Sequence, residues 1–151
     1  IMVHFFGDWS DEYSDMAKSL NIDELLQIHG WVPFETVFSY LLAGDASLLI
    51  TLPGDKLNIP SKPIDYISAK SPILTITEEG SRTENYIKKH KIGIVSSIGA
   101  TTETTRAIER LYRAKQNGTL SSYQPSQELL EQIDARTLSA RFSTALDDLT
   151  D

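Results

Sequence analysis

Short apolar runs alternate with amphipathic stretches along the whole chain. None of the runs shows a clean apolar/polar alternation, which is typical of parallel strands that are covered by helices on both faces. Because strands of this kind pair side by side in one sheet, the pattern predicts a buried sheet at the centre of the protein. The five predicted strands are Met2–Phe6, Leu26–His29, Ser47–Thr51, Pro72–Ile76 and Ile92–Val95.

Helical periodicity and capping signals fill the intervals between these strands. Residues 117–126 are polar and predict a surface loop. Together the elements predict one domain over residues 1–151, of the α/β class: a Rossmann-like three-layer sandwich with a parallel sheet. The predicted helices are Asp11–Leu20 with Ser10 as its cap, a helix from Pro33, Lys62–Ala69, a helix from the capping box Ser81–Glu84 to His90, Glu103–Gln116, and a closing helix with the apolar stripe Leu138, Phe142, Ala145, Leu146 and Leu149.

Composition excludes several classes of function. Hydrophobic residues make up 40% and charged residues 23% of the chain, as in a soluble globular protein. The absence of cysteine excludes disulfides and thiolate metal sites, and the three histidines lack helix-ligand spacing, so no metal site is expected. The net charge of −7 disfavours nucleic-acid and anionic membrane partners. No apolar run has the length of a membrane span, and we expect a cytoplasmic location.

The loop after the third predicted strand, Leu52–Ser61, is the most informative candidate site. Ligands of open parallel sheets bind beyond the carboxyl ends of the strands. A helix begins after this loop, and its free N–H groups together with Lys62 suit a diphosphate. Asp65, one turn on, suits a ribose diol. The alternative is structural: Ser61 only caps the helix, and Asp65 only favours its positive end.

Five other residues are weaker candidates for a role at the site. Trp31, after Gly30, either walls a base pocket or packs in the protein. His4 lies in a predicted buried strand and is expected to be a core histidine. His90 is expected to be structural, at a helix end rich in lysine. Glu78 and Glu79 either contact a sugar or are solvated, and solvation is expected. Catalytic fingerprints such as a P-loop or a nucleophile elbow are absent from the sequence.

Three elements, in order and spacing, resemble the carboxy-terminal donor-binding lobe of bacterial GT-B glycosyltransferases similar to family 4. The first is Gly7-Asp8 after an apolar strand. The second is Gly30-Trp31-Val32-Pro33 with a helix that ends in Leu41-Leu42-Ala43-Gly44-Asp45. The third and most specific runs from Ile59-Pro60-Ser61-Lys62 through Asp65-Tyr66 to the Pro72-Ile73-Leu74 strand. The resemblance covers nearly the whole chain.

The resemblance implies an enzyme of carbohydrate biosynthesis that binds a nucleotide-diphosphate sugar such as a UDP- or GDP-sugar, without a metal or another cofactor. It implies transfer of the sugar, with retention, to an acceptor bound mainly by an amino-terminal lobe, which could place the parent protein at the inner face of the membrane. The loop Gly30–Val32 would contact the base, the turn Ile59–Ser61 the diphosphate, and Asp65 the ribose hydroxyls. The implied donor-binding residues are Gly7, Asp8, Gly30, Trp31, Val32, Ile59, Pro60, Ser61, Lys62 and Asp65.

The sequence departs from the family pattern in three places. Asp65 replaces the usual glutamate, and Leu57 stands where the family has an earlier acidic residue, for which Asp55 could substitute. A basic strand–helix unit is expected before Ile1, with its strand in the sheet between those of Met2–Phe6 and Ser47–Thr51. The chain is therefore expected to be part of a larger protein, to transfer no sugar alone, and to leave strand edges that can pair between chains.

Two other functions remain open from the sequence. A nucleotide-sugar 2-epimerase shares the scaffold, but it needs more carboxylates and histidines directed into the cleft. A non-catalytic α/β binding or interaction module is the second alternative, and the loss of an acid at Leu57 favours it. The base, the sugar and the acceptor are left open by the sequence.

Overall fold

The computed structural model describes residues 1–149, which form two compact units, one over Ile1–Tyr40 and one that begins at Leu41. Each unit contains parallel strands joined by helices, so the α/β class predicted from the sequence is confirmed. The five predicted strands all form. They lie in two sheets of two and three strands, whereas the sequence predicted a single sheet.

The first unit is built on a two-stranded parallel sheet. Strand β1 (Val3–Phe5) pairs with β2 (Leu26–Ile28), with Val3 opposite Leu26. Helix α1 (Asp11–Ser19) connects them and is followed by a 3-10 helix (Asp23–Leu25). Ser10 caps α1 as predicted, because its hydroxyl accepts a hydrogen bond from Tyr13 N at 3.3 Å. Helix α2 (Phe34–Ala43) follows β2.

The prediction that β1 and β2 are buried on both faces is wrong. All three residues of β1 are exposed, and β2 is exposed except for the half-buried Leu26. Each of these strands has a single strand neighbour, so the sheet is too narrow to enclose its own side chains. The pattern of apolar residues predicts the positions of the strands correctly, but it does not predict how far their side chains are buried.

The second unit contains a three-stranded sheet in the order β3 (Ser47–Ile50), β4 (Ile73–Thr77), β5 (Gly93–Ser97). All pairs are parallel, with Ser47 opposite Ile73 and Ile73 opposite Gly93. Parallel neighbours require crossover connections, and α3 (Lys62–Ser68) and α4 (Arg82–His90) provide them. Helix α5 (Thr101–Gln116) follows β5 and packs on β4 and β5.

The core of this unit lies in two clusters on opposite faces of the sheet. Ile73 belongs to the larger cluster and the partly buried Leu74 packs against the smaller one, because neighbouring side chains of a strand point to opposite faces. This is the three-layer arrangement predicted from the sequence. The larger cluster is Leu49, Ile67, Ile73, Ile87, Ile92 and Leu129, and the smaller is Ile94, Ala107 and Leu111.

Strand β3 is buried on one face only, which corrects the prediction for this strand too. Ser47 and Leu49 are buried, whereas Leu48 is 45% and Ile50 62% exposed. The central strand β4 shows the expected pattern, because none of its five residues is exposed. Burial on both faces therefore follows from a central position in the sheet.

The end of the described chain contains more helix than the sequence predicted. The expected loop 117–126 includes a 3-10 helix (Leu120–Tyr123), and both of these end residues pack on the smaller core cluster. The single closing helix is two helices, α6 (Gln127–Ile133) and α7 (Ala135–Asp147). The apolar stripe predicted on the closing helix is exposed, with Phe142 at 67%. Among residues 1–149 no helix combines the length and apolarity that crossing a bilayer requires.

Glu84 is a buried carboxylate in the first turn of α4, and its protonation is expected to weaken the fold. Its oxygens accept from Lys88 Nζ and from Gly80 N, both at 2.5 Å. The bond from Lys88 lowers the pKa of Glu84 most, and the Gly80 amide also lowers it, while burial opposes both. A lowered pKa in the folded state means that this stabilisation is complete above the unfolded value of 4.5 and is lost as the pH falls through the folded value.

Replacing Glu84 by Gln is therefore expected to lower the free energy of unfolding by about 1 kcal/mol at pH 7, because a charged hydrogen bond is lost. Urea unfolding measured from pH 7 to pH 3 should show this difference shrink below pH 4.5. Glu109→Gln is the matched control, since Glu109 pairs with Arg113 at 3.6 Å on the exposed face of α5 and should have little effect. A Glu84→Gln difference that stays constant with pH would contradict the assignment.

Candidate functional site

The loops that follow β1 and β2 are joined directly beyond the ends of the strands. Gly7 N donates to Gly30 O at 2.8 Å, which continues the strand pairing by one further bond. Gly7 has φ +118° and Gly30 φ +64°, conformations that favour glycine. The two glycines predicted as donor-binding residues are thus brought together, and each is followed by a candidate side chain.

Trp31 is not packed inside the protein, so the alternative that it is a packing residue is wrong. Its side chain is 81% exposed, and Nε1 donates to Asp8 Oδ1 at 2.7 Å. The structure therefore brings Asp8 and Trp31 together through a side-chain bond between the two loops. Val32, the last predicted residue of this group, is half-buried.

His4 is exposed and is not the core histidine predicted from the sequence. Its Nδ1 lies 3.0 Å from Nε2 of His29, and the His29 ring stacks on Phe6 with centroids 4.5 Å apart. The error follows from the narrow two-stranded sheet, which leaves β1 open to solvent. His90 lies at the end of α4 with its ring tilted against that of Tyr86, the centroids 4.6 Å apart, and burial lowers the pKa of His90.

The loop after β3 is fixed to the loop after β4 by Glu78. Its Oε1 accepts from Gly54 N at 2.8 Å, and its Oε2 lies 3.7 Å from Lys56 Nζ. The expectation that Glu78 is simply solvated is therefore wrong, whereas Glu79 is exposed as expected. The sequence carries no local signal for this role, because the hydrogen bond joins residues 24 positions apart.

The same loop is also attached to the start of α4. Arg82 N donates to Lys56 O and Thr83 Oγ1 to Asn58 O, both at 2.9 Å. Asp55 accepts from Asn58 Nδ2 at 2.7 Å and closes a local turn. A polar loop that bonds its own backbone in this way has a defined conformation. Sequence analysis missed these contacts.

Three buried hydroxyls connect the carboxyl ends of β3 and β4 to the cap of α4. Thr51 Oγ1 donates to Thr77 Oγ1 at 2.8 Å, and Thr77 Oγ1 lies 3.0 Å from Ser81 Oγ. All three side chains are at most 5% exposed. Ser81 also caps α4, accepting from Glu84 N at 3.1 Å, which confirms the predicted cap. The two strand ends beneath the loop are therefore held in a fixed relation.

Ser61 does not cap α3, so the structural alternative for this residue is wrong. Its backbone is helical (φ −74°, ψ −29°), and its side chain makes no cap hydrogen bond. A capping serine needs extended backbone, which Ser81 has with ψ 156°. Lys62 is exposed at the start of α3, and Pro63 beside it is buried. The first turn of α3 thus has no side-chain cap.

Asp65 is half-buried in the first turn of α3. Within residues 1–149 its carboxylate accepts no hydrogen bond and forms no ion pair. Its neighbour Tyr66 donates its hydroxyl to Leu48 O at 3.2 Å, and burial, with a smaller effect of the Asp65 charge, raises the pKa of Tyr66. Asp65 is therefore a carboxylate available to a ligand.

The ten predicted donor-binding residues fall into two groups. The first unit holds one group, in which Gly7 bonds Gly30 and Asp8 bonds Trp31, and the second unit holds the other, at the start of α3. Among residues 1–149 no three histidine or carboxylate side chains come together as a metal site would require. The first group is Gly7, Asp8, Gly30, Trp31 and Val32, and the second is Ile59, Pro60, Ser61, Lys62 and Asp65.

The chain is similar in structure to WaaG, a glycosyltransferase involved in lipopolysaccharide biosynthesis, whose fold is GT-B. The TM-score is 0.60 and the sequence identity 16%, over 80% of this chain and 31% of the WaaG chain. The chain thus spans about a third of its structural neighbour. No protein-family model and no curated protein sequence matches it. The chain has a Rossmann-like fold similar to that of a GT-B glycosyltransferase.

Proposed function

We propose that this chain is the donor-binding lobe of a GT-B glycosyltransferase that uses a nucleotide-diphosphate sugar. The observation that supports it most is the first turn of α3, where Lys62 and Asp65 are available and Ser61 provides no cap. Pro63 has no N–H group and Ile64 N donates to Ser61 O, so the amides of Ser61 and Lys62 remain for a ligand. A cation beside these two amides suits a diphosphate, and a carboxylate suits a diol. The similarity in fold to a glycosyltransferase is independent support.

In this proposal the residues at the start of α3 contact two parts of the donor. The turn Ile59–Ser61 and Lys62 meet the diphosphate, and Asp65 accepts hydrogen bonds from the ribose hydroxyls. Asp65 is one methylene shorter than the glutamate of the family it resembles. The half-buried position of Asp65 requires the nucleoside to lie close to α3.

The chemical role of these residues is electrostatic. As the bond between the sugar and the diphosphate breaks, negative charge develops on the departing nucleoside diphosphate, and Lys62 with the adjacent amides would stabilise it. The acceptor would be bound mainly by an amino-terminal lobe of the parent chain, and transfer would proceed with retention and without an obligatory metal. We expect no transfer by the 151-residue chain alone and weak nucleotide binding.

A non-catalytic binding module is the second candidate, and Leu57 favours it. This residue is 75% exposed where the resembling family has an acid, and the neighbouring Asp55 is occupied by its own turn with Asn58. Such a module would bind the nucleotide but lack the acid that transfer uses. Sugar transfer by a version of the protein that includes the amino-terminal lobe would exclude it.

Titration of the 15N-labelled chain with uridine and guanosine diphosphates tests the proposal. At least one nucleotide is expected to bind with a dissociation constant of about 1 mM or tighter and to shift the amide resonances of Ser61, Lys62 and Asp65. Lys62→Gln should weaken this binding severalfold. Lys89→Gln is the matched control. Lys89 is exposed near the carboxyl-terminal end of α4, and its substitution should leave binding unchanged. Absence of amide shifts with either nucleotide at about 10 mM, roughly tenfold above the expected dissociation constant, would overturn the proposal.

A further inference from the structure

Helix α7 leaves its side chains open to solvent. Within Ala135–Asp147 only Thr137 is half-buried, and every other residue is exposed. Phe142 is 67% exposed, and Leu149, just beyond the end of the helix, is 81% exposed. A helix of 13 residues in a protein gains most of its stability from burial of an apolar face. The apolar face of α7 is therefore left for a partner.

The apolar positions of α7 have the spacing of a helix that pairs with another helix. Separations of three and four residues alternate between them, which keeps the side chains in one seam along the helix. Phe142 and Ala145 occupy the middle of this α7 seam, so a large and a small side chain are neighbours there. The residues of the α7 seam are Ala135, Leu138, Phe142, Ala145 and Leu149.

The charged residues of α7 are placed against the dipole of their own helix. Acidic residues stabilise the first turn of a helix and basic residues its last turn. In α7 the order is reversed, because Arg136 lies in the first turn, Asp147 lies in the last turn, and Asp148 is the C-cap residue. This order is unfavourable within one helix, but it is complementary to an identical helix that runs in the opposite direction.

We propose that two copies of this chain form a dimer by antiparallel packing of their α7 helices. When Phe142 of one copy lies opposite Ala145 of the second copy, a large side chain meets a small one, as close packing of a seam requires. The same register places Leu138 opposite Leu149. This interface is separate from the residues of the proposed donor site and does not depend on them.

The register also pairs opposite charges along the edge of the seam. Arg141 and Asp148 each precede a seam residue by one position, so both lie on the same side of the helix. In the antiparallel arrangement Arg141 of one copy is a neighbour of Asp148 of the second copy. Because a dimer of this kind has two-fold symmetry, the pair occurs twice.

Sedimentation equilibrium of the full chain measures this association. One short helix from each copy buries less than the roughly 1,200 Å² of a standard interface, so the dimer is expected to be weak, with a dissociation constant of about 0.1 mM. Phe142→Asp is expected to weaken dimerisation by at least about tenfold, because it places a charge in the apolar seam. Tyr112→Asp is the matched control, since Tyr112 is 52% exposed on α5, and dimerisation should be unchanged.

Charge reversal tests the direction and the register of the two helices. Arg141→Asp and Asp148→Arg are each expected to weaken dimerisation about fivefold, because each variant puts like charges side by side at both symmetric positions. A mixture of the two variants should form a heterodimer with the affinity of the unchanged chain, since each then meets opposite charges in the other. Mixing would not restore dimerisation that was lost through misfolding of either variant.

Three results would contradict the dimer. A chain that stays monomeric at about 1 mM, roughly tenfold above the expected dissociation constant, would mean that a different partner covers α7. Dimerisation that survives Phe142→Asp undiminished would place the interface elsewhere, for example at the strand edges. A mixture of Arg141→Asp and Asp148→Arg that does not regain affinity would show that the helices do not pack antiparallel in this register.

Discussion

Replacing Gly93 by alanine is expected to cost about 4 kcal/mol or more of folding free energy, the range of severe steric conflicts in a core. A Cβ atom at this position would lie 1.9 Å from Ile73 O and 2.7 Å from Ile73 C. Both are backbone atoms of the paired strand, so no side-chain rotation can relieve the clash. β5 would have to move away from β4 and break the pairing that carries both core clusters.

Urea unfolding followed by circular dichroism measures this loss, and Gly99→Ala is the matched control. Gly99 has φ +78°, and no atom lies within 4 Å of the added Cβ. Its substitution should cost only the strain of a left-handed residue, about 1 kcal/mol. Similar urea midpoints of unfolding for Gly93→Ala and Gly99→Ala would show that β4 and β5 are further apart than in the structure.

Replacing Asp65 by alanine is expected to weaken nucleoside diphosphate binding by about tenfold to hundredfold, the range for hydrogen bonds to a charged group. The carboxylate makes no hydrogen bond or ion pair within residues 1–149, so its removal should change the free energy of unfolding little. Amide-shift titrations give the affinity, and urea unfolding gives the stability. Glu79→Ala, which removes an exposed acid near β4, should leave both unchanged.

A ligand change can show that Asp65 acts on the ribose. The 2′,3′-dideoxy form of the same nucleotide lacks the hydroxyls that the carboxylate is proposed to hold. It should bind the unchanged chain as weakly as the normal nucleotide binds Asp65→Ala, and that variant should not distinguish the two ligands. If Asp65→Ala prefers the normal nucleotide over the dideoxy form by the same ratio of affinities as the unchanged chain, Asp65 does not contact the ribose hydroxyls.

The sequence is sufficient to predict features that depend only on residues close together in the chain. The sequence predicts Ser10 and Ser81 as helix caps correctly, because a cap needs only one side chain and an amide three residues further along the chain. Ser61 has the same residue type but a helical backbone, which prevents capping. Backbone conformation at a single residue depends on the neighbouring Pro60 and Pro63 and on tertiary packing, so residue type alone could not decide it.

Burial could not be read from the apolar runs, because it depends on which strands become neighbours. Val3–Phe5 and Ile73–Thr77 both lie in short apolar runs, yet the first strand is exposed and the second is the central strand of a sheet. The error for His4 has the same origin. Contacts between distant residues, such as that of Glu78 with Gly54, leave no periodic pattern and became visible only in the structure.

The hydrogen bonds that fix the loop after β3 reduce the conformational entropy that this loop would lose on binding a ligand. Glu78, Thr83 and the hydroxyls of Thr51, Thr77 and Ser81 tie this segment to two strands and a helix at once. A segment held at so many points has little freedom left to lose when something binds to it. The loop is therefore preorganised. The affinity of a ligand that binds there depends mainly on chemical complementarity and very little on ordering of the loop.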